Sequence, residues 1–321
     1  MTRAAGVRAA PLLLLLLLAA VAWAGEPTAL PVRKTVILAS GATYFIEGRQ
    51  VIGPGVEITI QKGTVLEGRG SNAVLEVQGA LKIRGVTDQE CTIRDLVIEP
   101  AATFDEIRID TVEWKSGALR TAPEVVACGT LSVENTVVDR GVPFDVCFGG
   151  GEVRLLNTSI YDHVKITGGI PKGKERNTVA VNMIGCHAKM GGYSGFLTGL
   201  SVTGASDVVL RNTRVAGPDC IFENCGGLTF DGNKIEVNKL IFRQAQAGRL
   251  KGWKLQKCDF SGGRILFEAP LGKAPDRILV DKCWFSGLTR PKEVLERVFG
   301  AREGVEIHFG KISERPLGLA G

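Results

Sequence analysis

LSVENTVVD, from Leu131 to Asp139, is answered 22 residues later by VRLLNTSIYD, from Val153 to Asp162. Both read apolar, any, apolar, any, Asn, Thr, any, apolar. Positions one and three point the same way out of an extended chain, which is the period-two signature of a strand. The fifth position takes Asn, a residue that tolerates left-handed backbone, so the chain turns there and position eight is the apolar residue of a second strand. Two strands therefore meet at a tight bend, and the bend is repeated.

The same phrase can be followed outward in both directions. CTIRDLVIEP starts at Cys91, IRIDTVEW at Ile107, VAVNMIGC at Val179, VVLRNTRV at Val208, LTFDGNKI at Leu228, WKLQKCDF at Trp253 and ILVDKCWF at Ile278, with a degraded VEIHF at Val305. From Leu131 onward the copies lie 22, 26, 29, 20, 25, 25 and 27 residues apart. A period of this size, with its variation confined to the connections, is the mark of a solenoid. No copy contains an amphipathic helix of the length that helical repeats require, so each repeat is strand and turn alone. Upstream, TVILA (from Thr35), TYFIEG (from Thr43), VEITIQKGTVLEG (from Val56) and VLEVQGALKIRG (from Val74) alternate in the same way between Gly and Pro punctuation.

These repeats resemble those of right-handed parallel β-helices of the pectin-lyase-like superfamily. PGVEITIQKGTVLEG (Pro54 to Gly68) followed by LEVQGALKIRG (Leu75 to Gly85) is similar to the opening rungs of exported bacterial members. The likeness implies an all-β, right-handed parallel β-helix solenoid of about ten to twelve rungs. For activity it implies little, because the superfamily holds lyases, hydrolases, esterases, epimerases and proteins without known chemistry. One further segment, DVCFGGGEVRLLNTSI (Asp145 to Ile160), resembles the part of pectin methylesterases that carries a catalytic aspartate, with Asp145 in that place; the companion motifs of that family are missing.

Composition agrees with many short strands joined by turns: 41 glycines, 6% aromatic residues, 45% hydrophobic and 23% charged. Arg3 and Arg8, the apolar run Pro11 to Val21 and the small-any-small Ala22-Trp23-Ala24 read as a secretory signal peptide cut after Ala24, giving a secreted or periplasmic protein. Cleavage leaves 297 of 321 residues and lowers the net charge from +5 to +3, too weak a balance to imply nucleic acid as partner. No later run is long enough for a membrane span. The pattern divides the chain into residues 1–24, a signal peptide, and residues 25–321, one β-helix domain. Within the latter, 25–90 are an N-terminal cap and first rungs, 91–287 regular rungs, and 288–321 a C-terminal rung and cap. Thr289 to Phe299, with Pro291 in its first turn, reads as a short helix.

Stacking brings residues of equal offset about 4.8 Å apart. Cys258 and Cys283 share the sixth position with Thr136, Thr158 and Thr213 and are expected to form an inward ladder of thiols, a disulfide being the other reading. Cys220 and Cys225 are spaced to bridge a turn. There is no CxxC or His spacing for zinc, and one Asp per rung is thin for calcium, so no metal and no cofactor are expected. Just beyond the phrase, the offsets gather Asp139 and Arg140, then Tyr161, Asp162 and His163, then His187 and Lys189. The connections Val164 to Thr178 (with Arg176) and Met190 to Gly199 (with Tyr193) lie beside them. A carboxylate, an imidazole and cations on adjacent rungs suit an acidic sugar. His163, Lys189, Asp162 and Arg140 are the candidate catalytic groups, and Tyr161, His187, Tyr193 and Arg176 the candidate substrate contacts. The expected partner is a polysaccharide or cell-envelope glycan. Two classes stay open: a binding or structural module of the envelope, and a polysaccharide lyase or glycoside hydrolase. Oligomeric state is not legible.

Overall fold

The computed structural model describes residues 26–175, 177–186, 189–190, 193–194, 196–244, 252–268, 277–286, 288, 290–297, 306–310, 312–313 and 315–317. They form a right-handed parallel β-helix of about 10 turns, all β apart from a short helix. Each turn contributes three strands, one to each of three parallel ladders that wind around a common core. The handedness is the one a parallel crossover adopts when right-twisted strands pack back on themselves.

The first sheet carries the opening of the phrase. Its in-register column runs Val36, Ile58, Leu81, Ile107, Leu131, Val153, Val181, Val208, Leu228, Trp253, Ile278 and Ile307. Position eight forms the second sheet: Trp114, Val138, Ile160, Leu197, Val215, Ile235, Phe260 and Phe285 are stacked in turn. The third sheet is legible only in the structure. Its column runs Leu75, Ile98, Leu119, Phe144, Val164, Leu200, Cys220, Leu240 and Ile265. From Ile58 to Ile278 in the first column, and throughout the other two, the side chains face inward and nearly every one is fully buried, with Val36 packed against them partly buried. At roughly 1.5–3 kcal/mol for each large apolar side chain removed from water, these columns are what holds the stack together.

The turn between the first two sheets works as its sequence suggests. Thr111, Asn135, Asn157, Asn212, Lys257 and Lys282 at position five have φ between 45° and 56°, and Gly185 and Gly232 take the same place on their rungs. The Asn135 side chain donates to Asp110 Oδ1 (3.0 Å) and Asn157 to Asn135 Oδ1 (3.3 Å), so part of the turn is tied from rung to rung. Position six points inward. Thr158 Oγ1 donates to the carbonyls of Val133 (3.0 Å) and Leu156 (2.9 Å), and Thr213 Oγ1 to those of Met183 (3.2 Å) and Arg211 (3.0 Å). Cys258 and Cys283 sit in this ladder as buried thiols, and all eight cysteines are free, Cys220 and Cys225 included.

Three copies differ from their sequence alignment. The ladder starts the VAVNMIGC copy at Val181 rather than Val179 and the last copy at Ile307 rather than Val305. CTIRDLVIEP belongs to the next bend of the same turn: Cys91 and Ile93 stack under Val112 and Trp114 in the second sheet, and Leu96–Pro100 continues into the third. Val164 to Thr178 is also not wholly a connection, since Val164–Gly168 is a third-sheet strand. A helix spans Pro291–Leu295 with Pro in its first turn, inside the expected Thr289 to Phe299, whose residues 289, 298 and 299 lie outside the described residues. Residues 1–24, and with them the expected signal peptide, lie outside the described residues; among those described, no helix is long and apolar enough to cross a membrane.

Candidate functional site

The chain enters the third sheet from the residues that follow position eight, so the predicted cluster sits where that sheet begins. Every second side chain of a strand faces out. The outward row reads Arg120, Asp145, Lys165 and Ser201 on four successive rungs. Lys165 Nζ lies 2.9 Å from Asp145 Oδ2, with both side chains about half exposed. A solvated pair of this kind contributes at most about 1 kcal/mol, so it orders the surface more than it stabilises it. Asp145, the position that resembles an esterase aspartate, is therefore ion-paired here.

Toward the N-terminal end the charges are tied more firmly. Glu99, 3% exposed, receives Arg49 Nη1 at 2.9 Å and Arg120 Nε at 3.3 Å, and Arg49 Nη2 also reaches Glu76 at 2.7 Å. The Arg49 guanidinium is held above its ordinary pKa, first by Glu76 and then by Glu99. Glu76 is held below its own, first by the hydrogen bond from Gln78 and then by Arg49. Beside Arg120 and Asp145 a groove of about 360 Å³ opens, bordered also by Thr121, Glu124 and Cys147. The Cys147 amide donates to Thr121 Oγ1 (3.0 Å), and burial, followed by the Asp145 charge, pushes its thiol pKa up.

The predicted residues are only partly assembled into one centre. Asp162 Oδ1 accepts the His163 amide (2.7 Å) and Oδ2 accepts that of Gly141 (3.2 Å), so its carboxylate is engaged with the backbone of the turn rather than with the imidazole. His163 Nε2 instead meets Ser201 Oγ at 2.8 Å, the donor being set by the tautomer. The ring lies over Gly199, whose φ is +79°; a Cβ there would approach His163 Nδ1 to 2.5 Å, so only glycine both turns the chain and admits the ring. The Tyr161 ring meets Phe196 edge-on with centroids 5.3 Å apart. Arg140 is exposed and, among the described residues, has no ion-pair partner. Lys189 and Tyr193 lie in a two-stranded antiparallel hairpin, Lys189–Met190 with Tyr193–Ser194. Because the copy starts at Val181, that hairpin springs from between positions six (Cys186) and eight (Leu197), an offset different from that of Asp162. His187 and Arg176 lie outside the described residues.

Ser201 was invisible to the repeat pattern. It lies 38 residues beyond His163 on a third-sheet strand, and only the register Lys165 to Ser201 brings it to the ring. Among the described residues, no group of three or more His, Cys, Asp or Glu is placed to hold a metal ion. No family model, curated protein or solved structure matches this chain. The architecture and the chemistry of its surface carry the functional reading.

Proposed function

We propose that this is an exported β-helix protein that contacts an acidic glycan of the cell envelope or its surroundings through the entry to the third sheet, as a binding or structural module. Arg140, Tyr161 and His163 form the contact surface, with Ser201 added. The observation that carries this reading is how the acidic groups are engaged. Asp162 is bonded to two backbone amides and Asp145 to Lys165, so the two carboxylates nearest in sequence to the strand entry are engaged within the protein rather than with the imidazole. Polar groups already held by hydrogen bonds lose less freedom when a ligand arrives.

One observation favours the second reading, a polysaccharide lyase or glycoside hydrolase. The His163 to Ser201 contact is within the distance at which a base moves a proton, and Arg140 stands ready to neutralise a uronate carboxylate. The two readings separate when the protein is incubated with a panel of acidic polysaccharides and followed for new unsaturated ends, new reducing ends and retained binding. Binding without either kind of new end is the expected result, and His163→Ala with Arg140→Ala is expected to weaken it about tenfold while the melting temperature stays within a few degrees. New chain ends that disappear in His163→Ala would establish the enzyme instead. Absence of any glycan binding would remove both.

A further inference from the structure

A second groove lies on another face of the molecule, on the first sheet near its N-terminal end. It is a groove of about 660 Å³ that spans the first four rungs, from Ile37 to Asp110. Its wall comes from a change in the turn. On the following rungs the turn between first and second sheets is built around a single left-handed residue, Thr111 and then Asn135 and Asn157. After Arg84 it expands to residues 85–90, closed on itself by a bridge between Val86 and Gln89.

The charges lining this groove are unbalanced. Lys62, Arg84 and Arg108 face it against one carboxylate, Asp110. That carboxylate is committed to Thr111 Oγ1 (3.0 Å), the Asn135 amide (3.0 Å) and Arg108 Nη2 (3.4 Å). Lys62 and Arg84 are exposed and, among the described residues, make no direct ion pair, although the Arg84 charge is felt by Glu57. Arg108 Nη2 also bonds Glu134 (2.9 Å), so its charge is met inside the protein and it serves as the wall of the groove. Asp88 and Glu90 of the expanded turn do not line the groove. Two aliphatic side chains stand at its margins, Ile37 at 68% exposure and Val86 at 45%.

We propose that this groove is the docking site of an extended acidic segment of a partner protein, carboxylates facing Lys62 and Arg84 and an aliphatic side chain seated between Ile37 and Val86. The lining distinguishes a peptide from a sugar. Ser40 Oγ donates to Gln61 Oε1 (3.2 Å) and Thr59 Oγ1 to Glu57 Oε1 (3.3 Å), so both hydroxyl protons are used within the protein, and no aromatic ring on which a sugar face could stack lines the groove. What remains is cationic and aliphatic. The site is independent of the glycan surface proposed above.

The test is an array of random-sequence peptides probed with the full chain. Bound peptides are expected to be enriched in Asp and Glu beside Leu, Ile or Val. The Lys62→Glu/Arg84→Glu variant is expected to lose binding by about tenfold or more, with its melting temperature unchanged because both side chains are exposed. Binding of no peptide, binders without acidic enrichment, or equal binding by the double variant would each overturn the proposal. So would an oligogalacturonate probe that binds wild type but not the double variant, since it would assign the groove to a glycan.

Discussion

Position six shows how a single residue serves the whole stack. Cys186 occupies it between Thr158 and Thr213, fully buried, its Sγ 3.4 Å from the Leu155 carbonyl. Burial pushes the thiol pKa from 9.0 up to about 11, against the smaller opposing pull of hydrogen bonds from the Thr158 backbone, the Thr213 side chain and the Ile184 backbone. An acid whose folded pKa is raised contributes stability that is complete below its unfolded value and is lost as pH climbs through the interval between the two. The unfolded chain releases this proton near pH 9 while the folded one keeps it to about 11, so stability should fall across that window. Cys186→Thr puts the neighbouring rungs' own residue into the ladder and removes the titration. The variant should fold, and its urea midpoint should drop less between about pH 8 and pH 10 than that of wild type. Identical slopes would show that Cys186 does not set the alkaline limb. The inward thiols at Cys258 and Cys283 were legible in the sequence because they share an offset with threonines; Cys186 was not, because its copy was aligned two residues early.

That misalignment has a cause at the level of the strand. In VAVNM the residues Val179, Val181 and Met183 are all buried, so a shift of two leaves every side chain on its own face and the pattern cannot choose between frames. What chooses is the turn: Gly185, at φ 67°, is the left-handed residue, and Met183 is an ordinary strand residue. CTIRDLVI misled for a related reason, since any strand, left-handed residue and strand spells the same phrase, and Asp95 at φ 50° is such a residue on the other bend. The site suffered twice over. Lys189 was placed by the shifted frame, and Ser201 lies in a sheet whose connections vary too much in length to align. The element that fixes His163 is testable at Gly199. Gly199→Ala should cost about 1–3 kcal/mol, from left-handed backbone and from collision with the ring. In a His163→Ala background only the backbone part should remain. A double-mutant cycle by urea denaturation should thus show coupling of about 1 kcal/mol or more; a cycle that closes to zero would mean the ring is not held there.

For the molecule as a whole, the phrase fixed the architecture because each rung meets only its neighbours, so local pattern and global fold carry the same information. That property predicts which deletions are tolerated. Val208 and Leu228 are register partners 20 residues apart, so removing residues 208–227 excises one complete turn and joins Asp207 to Leu228. Leu228 then stacks on Val181 and Phe230 on Met183, in the first sheet. Phe242 replaces Phe222 against Val202 in the third, and Asn233 succeeds Cys186 in the position-six ladder. Every inward column keeps an apolar or ladder residue, at the loss of one rung's burial. Removing only residues 208–217 instead joins Asp207 to Pro218, so the third-sheet strand that ends at Glu223 arrives where a first-sheet strand belongs. All ladders beyond that point are then displaced. The full-turn deletion should keep a β-sheet circular dichroism spectrum and a single cooperative urea transition at a lower midpoint, whereas the shorter half-turn deletion should lose cooperative unfolding altogether. If the larger deletion were the more damaging of the two, stability would depend on something other than rung-to-rung register, and the description of this chain as a stack of equivalent turns would fail.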